Sequence, residues 1–322
     1  MRCVTTVAQV RARVADARAT GAVVGFVPTM GALHDGHLSL IRIAAGRADL
    51  VVVSIFVNPN QFDRPDDLDQ YPKDLDADLE VLERLDVPVP VVVFAPEALE
   101  MYPPGAATTV AVGRLTETLC GRSRPGHFDG VATVVTRLLE IVRPDLAVFG
   151  HKDRQQLAVV RRLVEDLALD VEIVGGPTVR EPDGLAMSSR NALLDASERD
   201  RARRVVAALA VAVDTARRQR AQGTLDPHEL RTVTAATLDG LDVDYADVVD
   251  PDTFAALDAP VTGDGRVLVA VAVHVGGARL IDNVLIGAPD EEAAVLAHAG
   301  AVVPTGATPT GATSDDGSGG RS

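Results

Sequence analysis

Continuous apolar runs that alternate with helical segments constrain the fold of this chain more than any other feature. Five runs have the composition of parallel strands buried on both faces, and they lie at residues 22–27, 50–57, 87–94, 146–149 and 171–174. The segments that precede and separate them carry apolar residues at helical spacing, at residues 5–20, 36–46, 74–85, 129–142 and 154–167. Repeated strand–helix units predict an α/β fold with a doubly wound parallel sheet.

The composition changes after residues 175–178, Gly-Gly-Pro-Thr, which we interpret as a domain boundary. We therefore predict a first domain over residues 1–178 and a smaller α+β C-terminal domain over residues 179–288. Residues 289–322 are rich in Ala, Gly, Thr and Ser. Such composition predicts a low-complexity, disordered tail.

Local signals place helices and strands inside the second domain. Asp195 and Glu198 have the spacing of a capping box, which opens a long predicted helix through about Ala221. Short strands are predicted at residues 242–249, 266–275 and 278–286.

Polar clusters follow three of the predicted strands in the first domain, at residues 28–37, 58–62 and 150–153. Because the carboxyl ends of parallel strands meet at one edge of a sheet, these clusters should lie close together. Ligands of such sheets bind beyond this edge. The sequence therefore predicts a ligand site built from all three clusters.

His34 and His37 lie in the first cluster, at a junction where a strand gives way to a helix. A helix N-terminus offers free N–H groups and partial positive charge, which suit a phosphate, and imidazole donors would extend the site to polyphosphate. A histidine at a helix start is more often a cap or a surface residue. A zinc site needs at least three protein ligands, and no third ligand is evident beside this pair.

The charge and composition limit the classes of partner. The chain of 322 residues carries 31 Lys and Arg against 46 Asp and Glu, so its net charge of −15 repels nucleic acid at long range. Cys3 and Cys120 are too far apart in sequence to indicate a disulfide framework or a thiolate metal site. No apolar run approaches the ~20 residues of a membrane span, and no signal region precedes the first strand. We expect a soluble, cytoplasmic protein with no nucleic-acid or membrane partner.

Other polar residues add donors suited to a nucleotide and a small acid. Lys152 supplies a compact charge for a phosphoryl oxygen, and Ser188, Ser189 and Arg190 supply further phosphate donors. Asp153 could accept from a ribose hydroxyl, while the amides of Gln61 and Gln156 could bind hydroxyls and a carboxylate. The chain has no Walker motif, no GxGxxG after a strand and no nucleophile elbow. A site with phosphate donors and no nucleophile would act by positioning and electrostatics, which is typical of phosphoryl or nucleotidyl transfer.

Six stretches in order resemble the pantothenate synthetase (pantoate–β-alanine ligase) family: residues 28–40, 56–62, 71–73, 124–128, 150–156 and 183–191. The resemblance runs from about residue 22 to residue 286. It implies a Rossmann-like nucleotidyltransferase fold, with ATP and pantoate bound by the first domain and with the C-terminal domain closing over the active site. More distantly, the His-x-Gly-His element and the Met-Ser-Ser-Arg patch are similar to the signatures of nucleotidyltransferases and class I aminoacyl-tRNA synthetases.

The resemblance implies an ATP-dependent ligase of pantothenate biosynthesis that works in two steps. The carboxylate of (R)-pantoate attacks the α-phosphate of ATP to give pantoyl adenylate and pyrophosphate, and β-alanine then displaces AMP. Mg²⁺ is implied with the phosphates, without assignable protein ligands, and a homodimer is implied as the assembly.

The resemblance also implies roles for individual residues. His37 would be the proton donor, with His34, Lys152 and Arg190 as further catalytic groups, and Gln61 and Gln156 would bind pantoate, with Gln61 also near β-alanine. The implied ATP-binding residues are Met30, Gly31, Ala32, Leu33, His34, Asp35, Gly36, His37, Gly150, His151, Lys152, Asp153, Val179, Met187, Ser188, Ser189 and Arg190. His151 departs from the family pattern, which usually has Glu there.

Other functions stay open at this point. An adenylating nucleotidyltransferase specific for a different small acid would share most of these residues. A nucleotide-binding regulatory protein without turnover would also share them, although the presence of Gln61 and Gln156 argues against it. A tRNA-charging enzyme is disfavoured by the charge of −15.

Overall fold

The structure is a computed structural model that describes residues 2–62, 68–69 and 71–299. Its centre is a six-stranded sheet in the order β1-β4-β3-β2-β5-β6. Every neighbouring pair in this sheet is parallel. The strands are β1 (Arg2–Val4), β2 (Val24–Thr29), β3 (Leu50–Ile55), β4 (Val91–Phe94), β5 (Leu146–Gly150) and β6 (Glu172–Gly176). The predicted α/β fold with a parallel, Rossmann-like sheet is confirmed.

Helices connect these strands and continue into the second half of the chain. Those of the first half are α1 (Val7–Arg18), α2 (Asp35–Ala45), α3 (Leu75–Glu83), α4 (Ala98–Met101), α5 (Leu119–Ser123), α6 (His127–Val142) and α7 (Arg154–Asp166). Those of the second half are α8 (Ala196–Ala202), α9 (Arg204–Arg220), α10 (Pro227–Thr237) and α11 (Pro289–Ala299). Within the described residues, every helix is too short or too polar to traverse a lipid bilayer.

The central strands are buried on both faces, as their continuous apolar composition predicts. Val52 lies in a core with residues of α1, α6 and α7, whereas Val51 and Val53 lie in a second core with residues of α2. All three valines are fully buried. Adjacent residues of a strand point to opposite faces, so helices cover both sides of the sheet.

In the central sheet, two strands differ most from the sequence-based expectation. β1 was not predicted, because two of its three residues, Arg2 and Cys3, are exposed and only pairing with β4 makes it a strand. β4 begins at Val91 rather than at residue 87, because Pro88 and Pro90 have no N–H to donate to a neighbouring strand.

The second half of the chain forms a smaller α+β region, as predicted. Its antiparallel sheet has the order β11-β10-β8, from β8 (Asp242–Val249), β10 (Val267–Val275) and β11 (Ala278–Ile286). A separate short antiparallel pair, β7 (Thr224–Leu225) and β9 (Val261–Thr262), was not predicted. The capping box of Asp195 and Glu198 is present, but a break at Arg203 divides the predicted long helix into α8 and α9.

The prediction of a disordered tail is wrong for its first part, because Pro289–Ala299 forms α11. Val295 is only 1% exposed and packs into the core of the second half. The N–H of Gly287 donates to Oε1 of Glu292 at 2.8 Å. Alanine is typical of low-complexity tails but is also the best helix former, so composition alone did not reveal this helix. Residues 300–322 lie outside the described residues.

Candidate active site

The predicted ligand site coincides with the point where the strand order of the sheet reverses. β2 pairs with both β3 and β5. From β2 the chain builds the sheet to one side through β3 and β4, and it then crosses to the other side of β2 to form β5 and β6. Helix α2 begins just after β2, and a 3₁₀ turn at His151–Asp153 follows β5. Ligands of open α/β sheets bind in the crevice at such a reversal. His34, His37 and Lys152 are therefore brought to one edge of the sheet.

A cleft of about 740 Å³ opens at this edge and continues toward the antiparallel sheet. Most of the predicted site residues line it: Met30, His34, Gly36, His37, Gln61, Gly150, Lys152, Asp153, Gln156, Val179, Met187, Ser188, Ser189 and Arg190. The other predicted ATP-binding residues, Gly31, Ala32, Leu33, Asp35 and His151, are not among its lining residues. The cleft volume is within the range of small-molecule sites.

His34 and His37 form a stacked pair at the start of α2. Their ring centroids are 4.1 Å apart, and the backbone N–H of His34 donates to Nδ1 of His37 at 3.3 Å. Since a backbone N–H is always a donor, Nδ1 of His37 must be the acceptor. The neutral ring therefore carries its proton on Nε2.

Both histidines are held in the neutral form at pH 7. Burial, followed by the charges of His34 and Lys152, lowers the pKa of His37 to about 3. Burial and the charge of Lys152 lower the pKa of His34 to about 4, although nearby carboxylates oppose the shift. A cation close to the pair and loss of water both disfavour imidazolium.

Asp78, which sequence reasoning did not single out, shapes the loop before α2. Its carboxylate accepts from the backbone N–H of Ala32 at 3.1 Å and of Leu33 at 2.7 Å. Gly31 has φ +82°, and a Cβ there would lie 2.7 Å from Oδ2 of Asp78. Asp78 belongs to α3, which carries several acidic residues. The sequence alone does not show which of them is buried and which are solvated.

Gln61 is held by groups from three other parts of the chain. Its Nε2 lies 2.9 Å from Sδ of Met30, and its Oε1 accepts from Nδ2 of Asn58 at 3.0 Å. Its backbone carbonyl is 2.7 Å from Nδ1 of His127. A Cβ on Gly130 would lie 2.1 Å from the carbonyl of Asn60, so α6 and the turn of Gln61 pack backbone to backbone.

The two neighbouring glutamines at the start of α7 have different environments. Gln156 lines the cleft, as predicted. Gln155 is buried, with Oε1 accepting from the N–H of Cys120 at 3.0 Å and Nε2 donating to the carbonyls of Leu115 and Thr118 at 2.8 Å. Gln155 therefore holds the segment around α5. Both side chains border the cleft, but Gln156 is the more exposed of the two.

The Ser-Ser-Arg patch lies at the start of a 3₁₀ turn, Ser189–Leu193, and forms part of the cleft wall. Oγ of Ser188 accepts from the N–H of Arg190 at 3.3 Å. The guanidinium of Arg190 lies over the ring of Tyr71, 6.0 Å from its centroid. Burial raises the pKa of Tyr71, although its bond with Ser189 and the charge of Arg190 oppose the shift. Tyr71 is thus a protonated phenol that supports this wall.

His151, the departure from the family pattern, has a partner outside the cleft. Its Nδ1 lies 3.1 Å from Oε1 of Glu291 in α11. In the described part of the chain, no three His, Cys, Asp or Glu side chains converge as they would around a metal ion. The histidine pair of α2 therefore has no third protein ligand there.

Comparison with known proteins places the chain in a family. A family model described as pantoate-beta-alanine ligase matches residues 2–285. A pantothenate synthetase from Salinibacter ruber is 48% identical over 302 residues, which cover 91% of this chain and 100% of that protein. A pantothenate synthetase from Geobacter sulfurreducens is also 48% identical, over 291 residues that cover 89% of this chain and 99% of that protein.

Solved structures agree in fold over the same region. A crystal structure of pantothenate synthetase from Thermus thermophilus has a TM-score of 0.78 and 44% identity, covering 88% of this chain and 99% of that one. A pantoate-beta-alanine ligase from Francisella tularensis, complexed with beta-gamma ATP and beta-alanine, has a TM-score of 0.69 and 34% identity, covering 88% and 97%. With a family match over nearly the whole described chain, this chain belongs to the pantoate–β-alanine ligase family.

Proposed function

We propose that this chain condenses (R)-pantoate with β-alanine at the expense of ATP, giving pantothenate, AMP and pyrophosphate through a pantoyl-adenylate intermediate. The observation that carries the proposal is one cleft lined both by phosphate donors and by neutral amides. Its lining includes His34, His37, Lys152 and Ser188 to Arg190, together with Gln61 and Gln156. The similarity to a relative solved with beta-gamma ATP and beta-alanine supports the choice of ligands.

The first step would join the pantoate carboxylate to the α-phosphorus of ATP. A carboxylate oxygen forms the new P–O bond while the bond from the α-phosphorus to the bridging oxygen breaks, and pyrophosphate leaves with that bond's electron pair. In the second step the amine of β-alanine forms a C–N bond with the acyl carbon, AMP leaves, and the amine releases a proton.

Negative charge grows on the α-phosphate and the leaving pyrophosphate during the first step. Lys152 and Arg190 would supply positive charge, while the neutral imidazoles of His34 and His37 would donate hydrogen bonds. We propose that His37 acts through its Nε2–H as a hydrogen-bond donor, because its pKa of about 3 leaves little imidazolium at pH 7. This hydrogen-bonding role takes the place of the proton-donor role that the family resemblance implies for His37.

Gln61 and Gln156 are proposed to bind pantoate. An amide can donate to a carboxylate and accept from a hydroxyl without adding charge to the nucleophile. The bonds of Gln61 to Met30 and Asn58 would set its orientation before substrate arrives. Met30 lies on the loop before α2, so these bonds would also link the pantoate subsite to the ATP subsite.

Mg²⁺ is proposed to accompany ATP. Because no group of three potential ligands converges within the described residues, phosphate oxygens and water would hold the ion for the most part, as is common for Mg²⁺. Asp153, beside Lys152 in the cleft, is a carboxylate within this environment. When bound, the ion would offset phosphate charge in the transition state.

We also propose a homodimer, a cytoplasmic location, and closure of residues 179–288 over the cleft relative to residues 1–178. The homodimer and the domain closure follow from the family resemblance. Light scattering on the purified chain tests the assembly, since a mass of 33.7 kDa would identify a monomer.

The decisive experiment is pantoate-dependent exchange between ATP and labelled pyrophosphate. The purified chain should catalyse exchange only when pantoate is present, and no exchange above the blank would overturn the proposal. A panel of other small hydroxy acids in the same assay would detect an adenylating enzyme of different specificity.

A further inference from the structure

Helix α11 lies beyond the 2–285 region matched by the family model, and its acidic first turn makes two separate sets of contacts. Glu292 is 9% exposed, accepts from the N–H of Gly287 and lies 3.3 Å from Nε of Arg217. These contacts hold α11 against the second half of the chain. Glu291, the adjacent residue, also contacts the segment that follows β5.

Glu291 is the centre of a compact ion-pair cluster. Both of its carboxylate oxygens lie 2.6 Å from Nη2 of Arg154, and Oε1 lies 3.1 Å from Nδ1 of His151. Its Oε2 also accepts from the N–H of Leu285 at 3.2 Å. Burial alone would raise the pKa of Glu291, but His151 and Arg154 lower it to about 2, so the carboxylate is ionised at neutral pH.

A chain of hydrogen bonds runs from Arg154 to the backbone of Lys152. Nε of Arg154 donates to Oδ1 of Asn283 at 2.9 Å. Nδ2 of Asn283 then donates to the carbonyls of His151 at 3.1 Å and Lys152 at 2.9 Å. Because Arg154 occupies the oxygen of the amide, the orientation of Asn283 is determined, with its NH₂ toward the turn. The turn that presents Lys152 is thus held at two successive carbonyls.

His151 holds the same turn from its other side. A Cβ added to Gly175 in β6 would lie 2.3 Å from Nε2 of His151, so the ring is seated directly against the β6 backbone. Glu291 at Nδ1 and Gly175 near Nε2 confine this ring at both nitrogens. The residue next to Lys152 therefore has little room to rotate while α11 is docked.

We propose that Glu291 is a positioning residue for the ligase reaction, acting through Arg154, Asn283 and His151 to hold the turn that places Lys152 in the cleft. The inference rests on the proposed function, because it concerns the use of Lys152 at the phosphates. It gives the C-terminal helix a role in catalysis although none of the described residues of that helix lines the cleft. A shift of about 1 Å in a charged group can lower a rate by as much as ~100-fold.

Glu291→Ala and Glu292→Ala form a matched pair for the test, because each removes one partly buried carboxylate from the same turn of the same helix. We expect Glu291→Ala to lower kcat/KM for ATP in pyrophosphate exchange by roughly 10–100-fold. For Glu292→Ala, kcat/KM for ATP should stay within about twofold of the parent value, even if its melting temperature falls as much as that of Glu291→Ala. Glu291→Gln keeps the side-chain volume and should lower kcat/KM by an intermediate factor. It provides the test if Glu291→Ala does not fold.

A double-mutant cycle with Lys152 separates positioning from general destabilisation. If Glu291 acts through Lys152, adding Glu291→Ala to Lys152→Ala should cost less than about twofold beyond the loss from Lys152→Ala. An equal loss in both backgrounds, or equal kinetics of the Glu291 and Glu292 variants, would overturn the inference while leaving the ligase function in place. A parent chain without exchange would instead overturn the function and this inference with it.

Discussion

The backbone N–H of His34 donates to Nδ1 of His37, and this single bond decides which nitrogen of the His37 ring carries the proton. The ring presents an Nε2–H donor and is neutral, since its pKa is lowered to about 3. Under the proposed function, two neutral imidazoles beside Lys152 would donate hydrogen bonds to phosphate, and Lys152 and Arg190 would supply most of the positive charge.

Replacement of His37 tests its role as a donor. His37→Ala should lower the rate of pantoate adenylation by about 10²–10⁴-fold, the range for a positioned acid–base or donor group. His37→Gln can place an amide N–H near the same position and should recover part of that loss. Pyrophosphate exchange measures both variants, and an alanine variant with the parent's rate would remove His37 from the mechanism.

The histidine pair should make the folded state sensitive to acid. Both folded-state pKa values lie below the ordinary value of 6.5, at about 4 for His34 and about 3 for His37. The unfolded chain therefore binds protons below pH 6.5 that the folded chain does not bind. The free energy of unfolding should fall as pH drops from 6.5 toward 4, by up to about 1.4 kcal/mol per pH unit for each histidine.

Denaturant unfolding at pH 7, 6 and 5 measures this dependence. His37→Gln has no titrating ring, so its stability should depend less steeply on pH than that of the parent. His274→Gln is the control, because His274 is exposed. Its stability should depend on pH in the same way as that of the parent. Identical slopes for the parent and His37→Gln would contradict the assigned cause.

The contact between α6 and the turn of Gln61 should be intolerant of a methyl group. A Cβ on Gly130 would lie 2.1 Å from the carbonyl of Asn60, so Gly130→Ala should displace this turn. We expect a loss of about 1–3 kcal/mol in stability and a higher KM for pantoate. Gly113→Ala is the matched control, because a Cβ there meets nothing within 4 Å. Parent-like kinetics and stability for Gly130→Ala would show that the contact is easily relaxed.

Replacement of the adjacent glutamines by alanine should affect different properties, stability for Gln155 and pantoate binding for Gln156. Gln155→Ala leaves the N–H of Cys120 and two carbonyls without their partner. The free energy of unfolding should fall by about 1–3 kcal/mol for each buried unsatisfied group, and the melting temperature should fall with it. Gln156→Ala should keep the melting temperature and raise KM for pantoate. Calorimetry and steady-state kinetics on both variants decide the assignment, and a reversed pattern would exchange their roles.

The sequence was most informative where function depends on local pattern. The apolar runs that became β2, β3 and β5 located the edge of the sheet, and the polar residues after them line one cleft. Ser188 to Arg190, far away in sequence, were assigned to the same site as phosphate donors by their chemistry and then by the family resemblance. The division at residue 178 stays a prediction.

Other parts of the site had no local signal. Asp78 bonds to the loop before α2 from a helix more than one element away, and its own neighbours are ordinary solvated acidic residues. The pairing of His151 with Glu291 joins residues remote in sequence, one of them in a segment whose composition predicts disorder.

The sequence by itself determined the alternation of strands and helices, the family and the chemical types of the site residues, because periodicity and motif spacing are properties of neighbouring residues. Only the tertiary structure decided the proton position and charge of His37, the separate roles of Gln155 and Gln156, and the link from Glu291 to Lys152. Those properties depend on burial and on distances between residues remote in sequence. Such distances exist only once the chain has folded.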